Sequence, residues 1–100
     1  MGVRFQRVGQ GTGAQSLVWA LEVAKYINEK FPQNPVQVYT ERFGDVAKVY
    51  WVSDWDNIAT LDARQEAIQA DEGFVTMIVK AQQDGLFVPG SVQDTVLVSA

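Results

Sequence analysis

Cysteine and histidine are both missing from this chain. Without cysteine there are no disulfides, thiolate nucleophiles or zinc-thiolate sites; without histidine the commonest metal ligand and the commonest general base are gone. Positive charge is scarce as well. Eight Lys and Arg against twelve Asp and Glu leave a net charge of -4 and no basic stripe, which excludes a general attraction for nucleic acid phosphates. No stretch approaches the ~20 apolar residues of a membrane span, and the chain does not open on a basic segment followed by an apolar run, so no membrane partner is expected and the expected location is cytoplasmic. Proline is rare, and Pro32, Pro35 and Pro89 each mark a break between periodic segments.

What is present suffices for a fold. One hundred residues, 47% of them hydrophobic, are enough for one core, so residues 1–100 are read as a single domain. Its centre is Val36 to Ser53, where two period-two segments flank Gly44-Asp45. A tight type II′ turn there places Phe43 opposite Val46, Glu41 opposite Lys48, Tyr39 opposite Tyr50 and Val38 opposite Trp51. One face, with Val36, Val38, Thr40, Ala47, Val49 and Trp51, suits a helical cover. The other, with Tyr39, Glu41, Phe43, Lys48, Tyr50 and Val52, mixes aromatic rings and charges and is too apolar to stay in water.

Around this hairpin, Val3 to Val8 alternates as a first strand, with Val3 and Phe5 on one face and Arg4 and Gln6 on the other. Leu17, Ala20, Leu21, Ala24, Ile27 and Phe31 recur at helical spacing, widened by Trp19, Val23 and Tyr26, up to Pro32. Ser53 and Asp56 have the spacing of a capping box for a second helix, whose apolar positions are Ile58, Leu61 and Ile68 beside a row of Ala59, Ala63 and Ala67. A break is expected near Gly73, a left-handed cap at Gly85, a turn at Pro89-Gly90 and a last strand from Val92 to Val98. Strand, helix, strand, strand, helix, strand is the ferredoxin-like βαββαβ order, an α+β fold with a four-stranded antiparallel sheet and its helices on one face. The bare face then pairs with a second copy, giving a homodimer.

The segment QVYTERFGDVAKVYWVSDWDNIATLDARQEAIQADEGF, with its charged and aromatic hairpin, glycine turn and Ser-Asp-Trp lead into the second helix, resembles the dimeric α+β barrel superfamily, and within it the NIPSNAP-like proteins. The resemblance implies two sheets closing face to face around a cavity. It does not imply a reaction, because that superfamily includes cofactor-free monooxygenases, isomerases, haem enzymes and proteins of no known activity. Its haem branch relies on a histidine ligand, which this chain lacks, and no cofactor is expected.

Arg4, Gln6, Tyr39, Glu41, Lys48 and Tyr50 are the candidate lining of such a cavity. Arg4 and Lys48 suit an anionic or enolate oxygen and the tyrosines suit a planar ligand. As a base Glu41 would need its pKa raised, and Lys48 pulls it down; the simpler role for Glu41 and Lys48 is a cross-strand pair worth ~0.2–1 kcal/mol. The expected function is therefore an interaction or small-ligand-binding module for an aromatic or anionic molecule. A cofactor-free monooxygenase or isomerase acting on an aromatic or polyketide-like molecule is the alternative, and the residues leave open whether the chain is an enzyme. Gly9-Gln10-Gly11-Thr12-Gly13-Ala14 also satisfies G-x-G-x-x-G/A with Glu41 as a ribose acid. Against a nucleotide site, Arg4, Gln6 and Arg7 interrupt a strand that such folds bury on both faces, so the glycines are assigned to turn geometry. Trp19 and Trp51 are assigned to the core, and Asp54, Asp56 and Asp62 to a helix start and a solvated face rather than to a metal.

Overall fold

The computed structural model describes residues 2–45 and 47–100. Its elements are β1 (Val3–Gln10), α1 (Ala14–Lys30), β2 (Gln37–Thr40), β3 (Lys48–Trp55), α2 (Ile58–Gln69), α3 (Glu72–Gln83) and β4 (Gln93–Val98). The four strands form one antiparallel sheet in the order β2-β3-β1-β4. This is the expected α+β architecture, with the second helical segment divided in two. Tyr39 lies opposite Tyr50 and Val38 opposite Trp51, as the alternation predicts.

The hairpin end differs from expectation. Residues 41–45 and 47 lie outside both strands, and the positive-φ glycines among the described residues are Gly85 and Gly90, so Gly44 does not supply a type II′ turn. Side chains shape this connection instead. The Glu41 carboxylate accepts the Asp45 amide at 3.0 Å, Asp45 Oδ1 accepts the Ala47 amide at 3.0 Å, and the Asp45 carbonyl accepts the Lys48 amide at 3.1 Å. A Cβ at Gly44 would meet the Glu41 carboxylate, which would have to swing aside. Val46, expected opposite Phe43, lies outside the described residues.

In α1 the stripe that faces the sheet is Ser16, Ala20, Val23, Ala24 and Ile27; Leu17 and Leu21, expected in it, are exposed. Small residues win because they bring the helix close to β3, where the Trp51 indole N–H donates to the Ala20 carbonyl at 3.2 Å. Ser16 is buried without penalty: its hydroxyl donates to the Leu86 carbonyl and accepts the Thr12 amide. The glycine run opening α1 answers close approach more than turn geometry. A Cβ on Gly9 would sit 3.0 Å from the Phe87 ring, and one on Gly11 2.8 Å from the Ala47 carbonyl. Thr12 is also tied to the α3–β4 connection, its amide donating to Leu86 and its hydroxyl to Gly85. The Gly11 and Thr12 amides, two of those that would face a phosphate in a dinucleotide fold, are thus already engaged.

The Ser53 and Asp56 capping box does not form, because β3 continues to Trp55 and the Ser53 hydroxyl accepts the Trp55 indole N–H at 2.8 Å. Asn57 caps α2 instead, accepting the Thr60 amide at 2.9 Å. The buried positions of α2 are Leu61, Arg64 and Ile68, whereas Ile58, Ala59, Ala63 and Ala67 are exposed. The break near Gly73 is present: Asp71 caps α3, and a Cβ on Gly73 would strike the Tyr26 phenol. α3 ends in a Schellman arrangement, with Leu86 N–H on the Ala81 carbonyl, Gly85 N–H on the Gln82 carbonyl, and Gly85 at φ 61.

Asp71 ties this junction together and makes it pH-dependent. It pairs with Lys30, accepts the Tyr26 hydroxyl at 2.5 Å, and accepts the Phe74 amide at 2.9 Å. These donors, Lys30 foremost, hold its carboxyl at about 2 against an ordinary 3.8. A depressed folded-state pKa contributes stability that is complete above the unfolded value and disappears as pH falls through the folded one. Asp71→Asn is therefore expected to lower stability at neutral pH and to flatten the pH dependence between 3.8 and about 2. Denaturant titrations of both proteins across that range check it; parallel curves would remove Asp71 from this role.

Candidate functional site

The sheet has two unlike faces. On the one away from the helices, Arg4, Gln6 and Val8 of β1 lie beside Asp54, Val52 and Tyr50 of β3, with Tyr39 across from Tyr50 on β2. Arg4, Tyr39 and Tyr50 each have a hydrogen-bonding neighbour there. Arg4 grips Asp54 with two hydrogen bonds of 2.8 and 3.0 Å, which raises the guanidinium pKa and lowers that of the carboxyl. The Tyr39 hydroxyl donates to Gln37 at 2.6 Å. The Tyr50 hydroxyl donates to Glu41, whose carboxyl is held below its ordinary range by that bond first, by the Asp45 amide next and by the charge of Lys48. Glu41 is a poor base for that reason.

Glu41 and Lys48 do not form the expected cross-strand ion pair, because the carboxylate turns back into the 41–47 connection. The six residues share one face without meeting at a point. Glu41, Lys48 and Tyr50 gather at the hairpin end, whereas Arg4 sits opposite Asp54, six residues along β3 from Lys48 and roughly 20 Å away.

A cavity of about 210 Å³ opens on the other face, between the sheet and α1, α2 and α3. The strands contribute Phe5, Arg7, Trp51 and Ser53, and the helices Trp19, Gln65, Ile68, Phe74 and Ala81. Trp19, Trp51 and Phe87 form its aromatic wall, with centroids 5.6 to 6.1 Å apart in edge-on and tilted contacts. Both wall tryptophans belong to the core as expected, and both also line the cavity. Their indole N–H groups are spent inside the protein, Trp19 on the Met77 carbonyl and Trp51 on that of Ala20.

Among the described lining residues Arg7 alone is ionisable. It is fixed by Asp94 through bonds of 2.7 and 2.8 Å, which raise its pKa. The signal for Arg7 was in the sequence: it continues the Val3, Phe5 alternation onto the face that the helices cover. Ser53, Gln65, Gln69 and Gln82 supply the remaining polar groups. Among the described residues no group of three or more Asp or Glu side chains converges where a metal ion would sit, and no helix is long and apolar enough to cross a membrane.

No protein-family model and no curated protein matches the sequence. The likeness to known proteins is in the fold. A NIPSNAP family protein from Agrobacterium tumefaciens superimposes with a TM-score of 0.74 at 12% identity, over 100% of this chain and 94% of that one. A NIPSNAP-like domain protein from Burkholderia xenovorans gives 0.76 at 14% identity, over 99% and 85%. SnoaB, a cofactor-independent oxygenase from Streptomyces nogalater, gives 0.68 at 13% identity, over 98% and 92%. The chain thus has the ferredoxin-like α+β fold of the NIPSNAP structures, one that a cofactor-independent oxygenase also uses.

Proposed function

We propose that this protein is a binding module: a homodimer paired through its bare sheet face, holding a small aromatic molecule in the helix-side cavity without turning it over. The cavity carries the reading. At about 210 Å³ it exceeds the ~150 Å³ that admits benzene and falls below the ~300 Å³ at which drug-sized sites begin, so one ring with a short substituent is the scale it suits. Its aromatic wall offers edge contacts to that ring, and Arg7 stands where an anionic substituent would be neutralised.

Catalysis as a cofactor-free oxygenase or isomerase would need a group that takes a proton from the substrate. The lining offers an arginine tied to Asp94 and two indoles whose N–H groups are engaged, which argues for holding over turnover.

Titration with p-cresol, followed by tryptophan fluorescence, is the test. A saturable change is expected, because Trp19 and Trp51 both form the wall. Val92 stands at the cavity and is half exposed, so Val92→Phe is expected to weaken p-cresol binding at least tenfold while leaving the unfolding midpoint in place. An unsaturable response, or equal affinity in the variant, sinks the cavity reading; oxygen uptake or product formation with bound p-cresol would move the protein to the enzyme class.

A further inference from the structure

Arg64 is a buried cation with no carboxylate beside it. It is 9% exposed, its guanidinium lies 4.3 Å from the centre of the Trp55 ring, and no acid pairs with it among the described residues. Nη1 donates to the Gln33 and Asn34 carbonyls at 2.7 and 2.6 Å. Nε is buried without a partner; Nη2 also bonds to nothing among the described residues but keeps solvent contact. Two of five donors are therefore used. A charge removed from water this far is costly unless an anion meets it.

The surroundings favour such an anion. Arg64 lines an open groove of about 650 Å³ between the α1–β2 connection and the start of α2. The amino end of α2, where Asn57 caps Thr60, lines the same groove and presents the positive end of the helix dipole. Asn34 adds polar atoms, Phe31 and Pro32 an apolar wall, and Asp56 is the one acid of the lining. Burial pushes the Arg64 pKa down, the direction expected of a cation short of compensation.

We propose that this groove is a second ligand site, in which Arg64 binds the carboxylate of a small organic acid whose apolar part rests on Phe31 and Pro32. Nη2, the guanidinium nitrogen left with solvent contact, can give a charge-assisted hydrogen bond to a carboxylate oxygen, and the apolar wall distinguishes an organic acid from inorganic phosphate.

Benzoate titration of the folded protein, followed by amide and arginine Nε–H NMR resonances, tests this. Saturable shifts at Arg64 and Thr60 are expected, persisting in Val92→Phe and weakened at least tenfold in Arg64→Lys. Thr60→Glu provides a variant that does not depend on removing the buried arginine. It sets a carboxylate one turn before Arg64, and is expected to raise the melting temperature and abolish the benzoate shifts. The proposal is overturned if those shifts fail to saturate, disappear in Val92→Phe, or survive with unchanged affinity in Thr60→Glu or Arg64→Lys.

Discussion

Trp51→Ala is expected to cost about 3–5 kcal/mol, the range for removing a large aromatic side chain from a packed core, and to lower the melting temperature by on the order of 15 °C or more. The size of the effect follows from the number of elements this one ring joins. It is 8% exposed, stands on β3 beneath α1, donates to the Ala20 carbonyl, and touches both Trp19 and Phe87. The Phe87 ring in turn occupies the space that Gly9 leaves by lacking a Cβ. Truncation would join the vacated volume to the existing cavity, so little collapse is available to recover the loss. Trp51→Phe keeps much of the ring contact and drops the indole hydrogen bond, and its cost should be well under half as large. Equilibrium urea unfolding measures both. A loss below about 1 kcal/mol for alanine would mean that the α1–β3 contact does not depend on this side chain.

Much of the sheet was legible because strand alternation is a strict two-state code. The Tyr39 and Tyr50 pairing, the separation of Arg4 from Phe5, and the side taken by Trp51 all follow from counting in twos. The failures occur where polar side chains replace backbone or apolar logic. Hydrophobicity chose Leu17 and Leu21 for the α1 stripe, yet burial chose Ser16, since its hydroxyl has a partner 70 residues away that no local pattern shows. Ser53 looked like a helix cap, but its place in the alternation Val49, Trp51, Ser53, Trp55 keeps it in β3, and its hydroxyl serves an indole. Glu41 looked like half of a cross-strand pair and instead organises the connection that follows it.

The cavity was less legible than the sheet for a geometric reason. A reading confined to one face of the hairpin finds charged and aromatic residues together and places a ligand among them. The helix-side cavity draws its lining from β1, β3, all three helices and the segment before β4, a convergence visible only once the chain is folded. Arg7 was the exception, a charge on the covered face.

In the proposed dimer, Tyr50→Lys is expected to break the pairing, raising the dimer dissociation constant about 100-fold or more, the scale of a central aromatic contact. The bare face has few other ways to leave water. Tyr39 is 51% and Leu97 50% exposed, and Val8 of β1 lies directly opposite Tyr50 on β3, so apolar surface runs across the strands with no helix of its own above it. In a two-fold interface every substitution occurs twice, and an ammonium at this position would join Lys48, already on the same side of β3. Tyr50→Phe is the matched control: it drops the hydroxyl that donates to Glu41 but keeps the ring, and should remain dimeric. Sedimentation equilibrium across a concentration series distinguishes the two variants. If the unsubstituted protein sediments with the mass of a single chain, or if Tyr50→Lys associates as tightly as Tyr50→Phe, the sheet face is not where copies meet. The helix-side cavity would then act within a lone subunit.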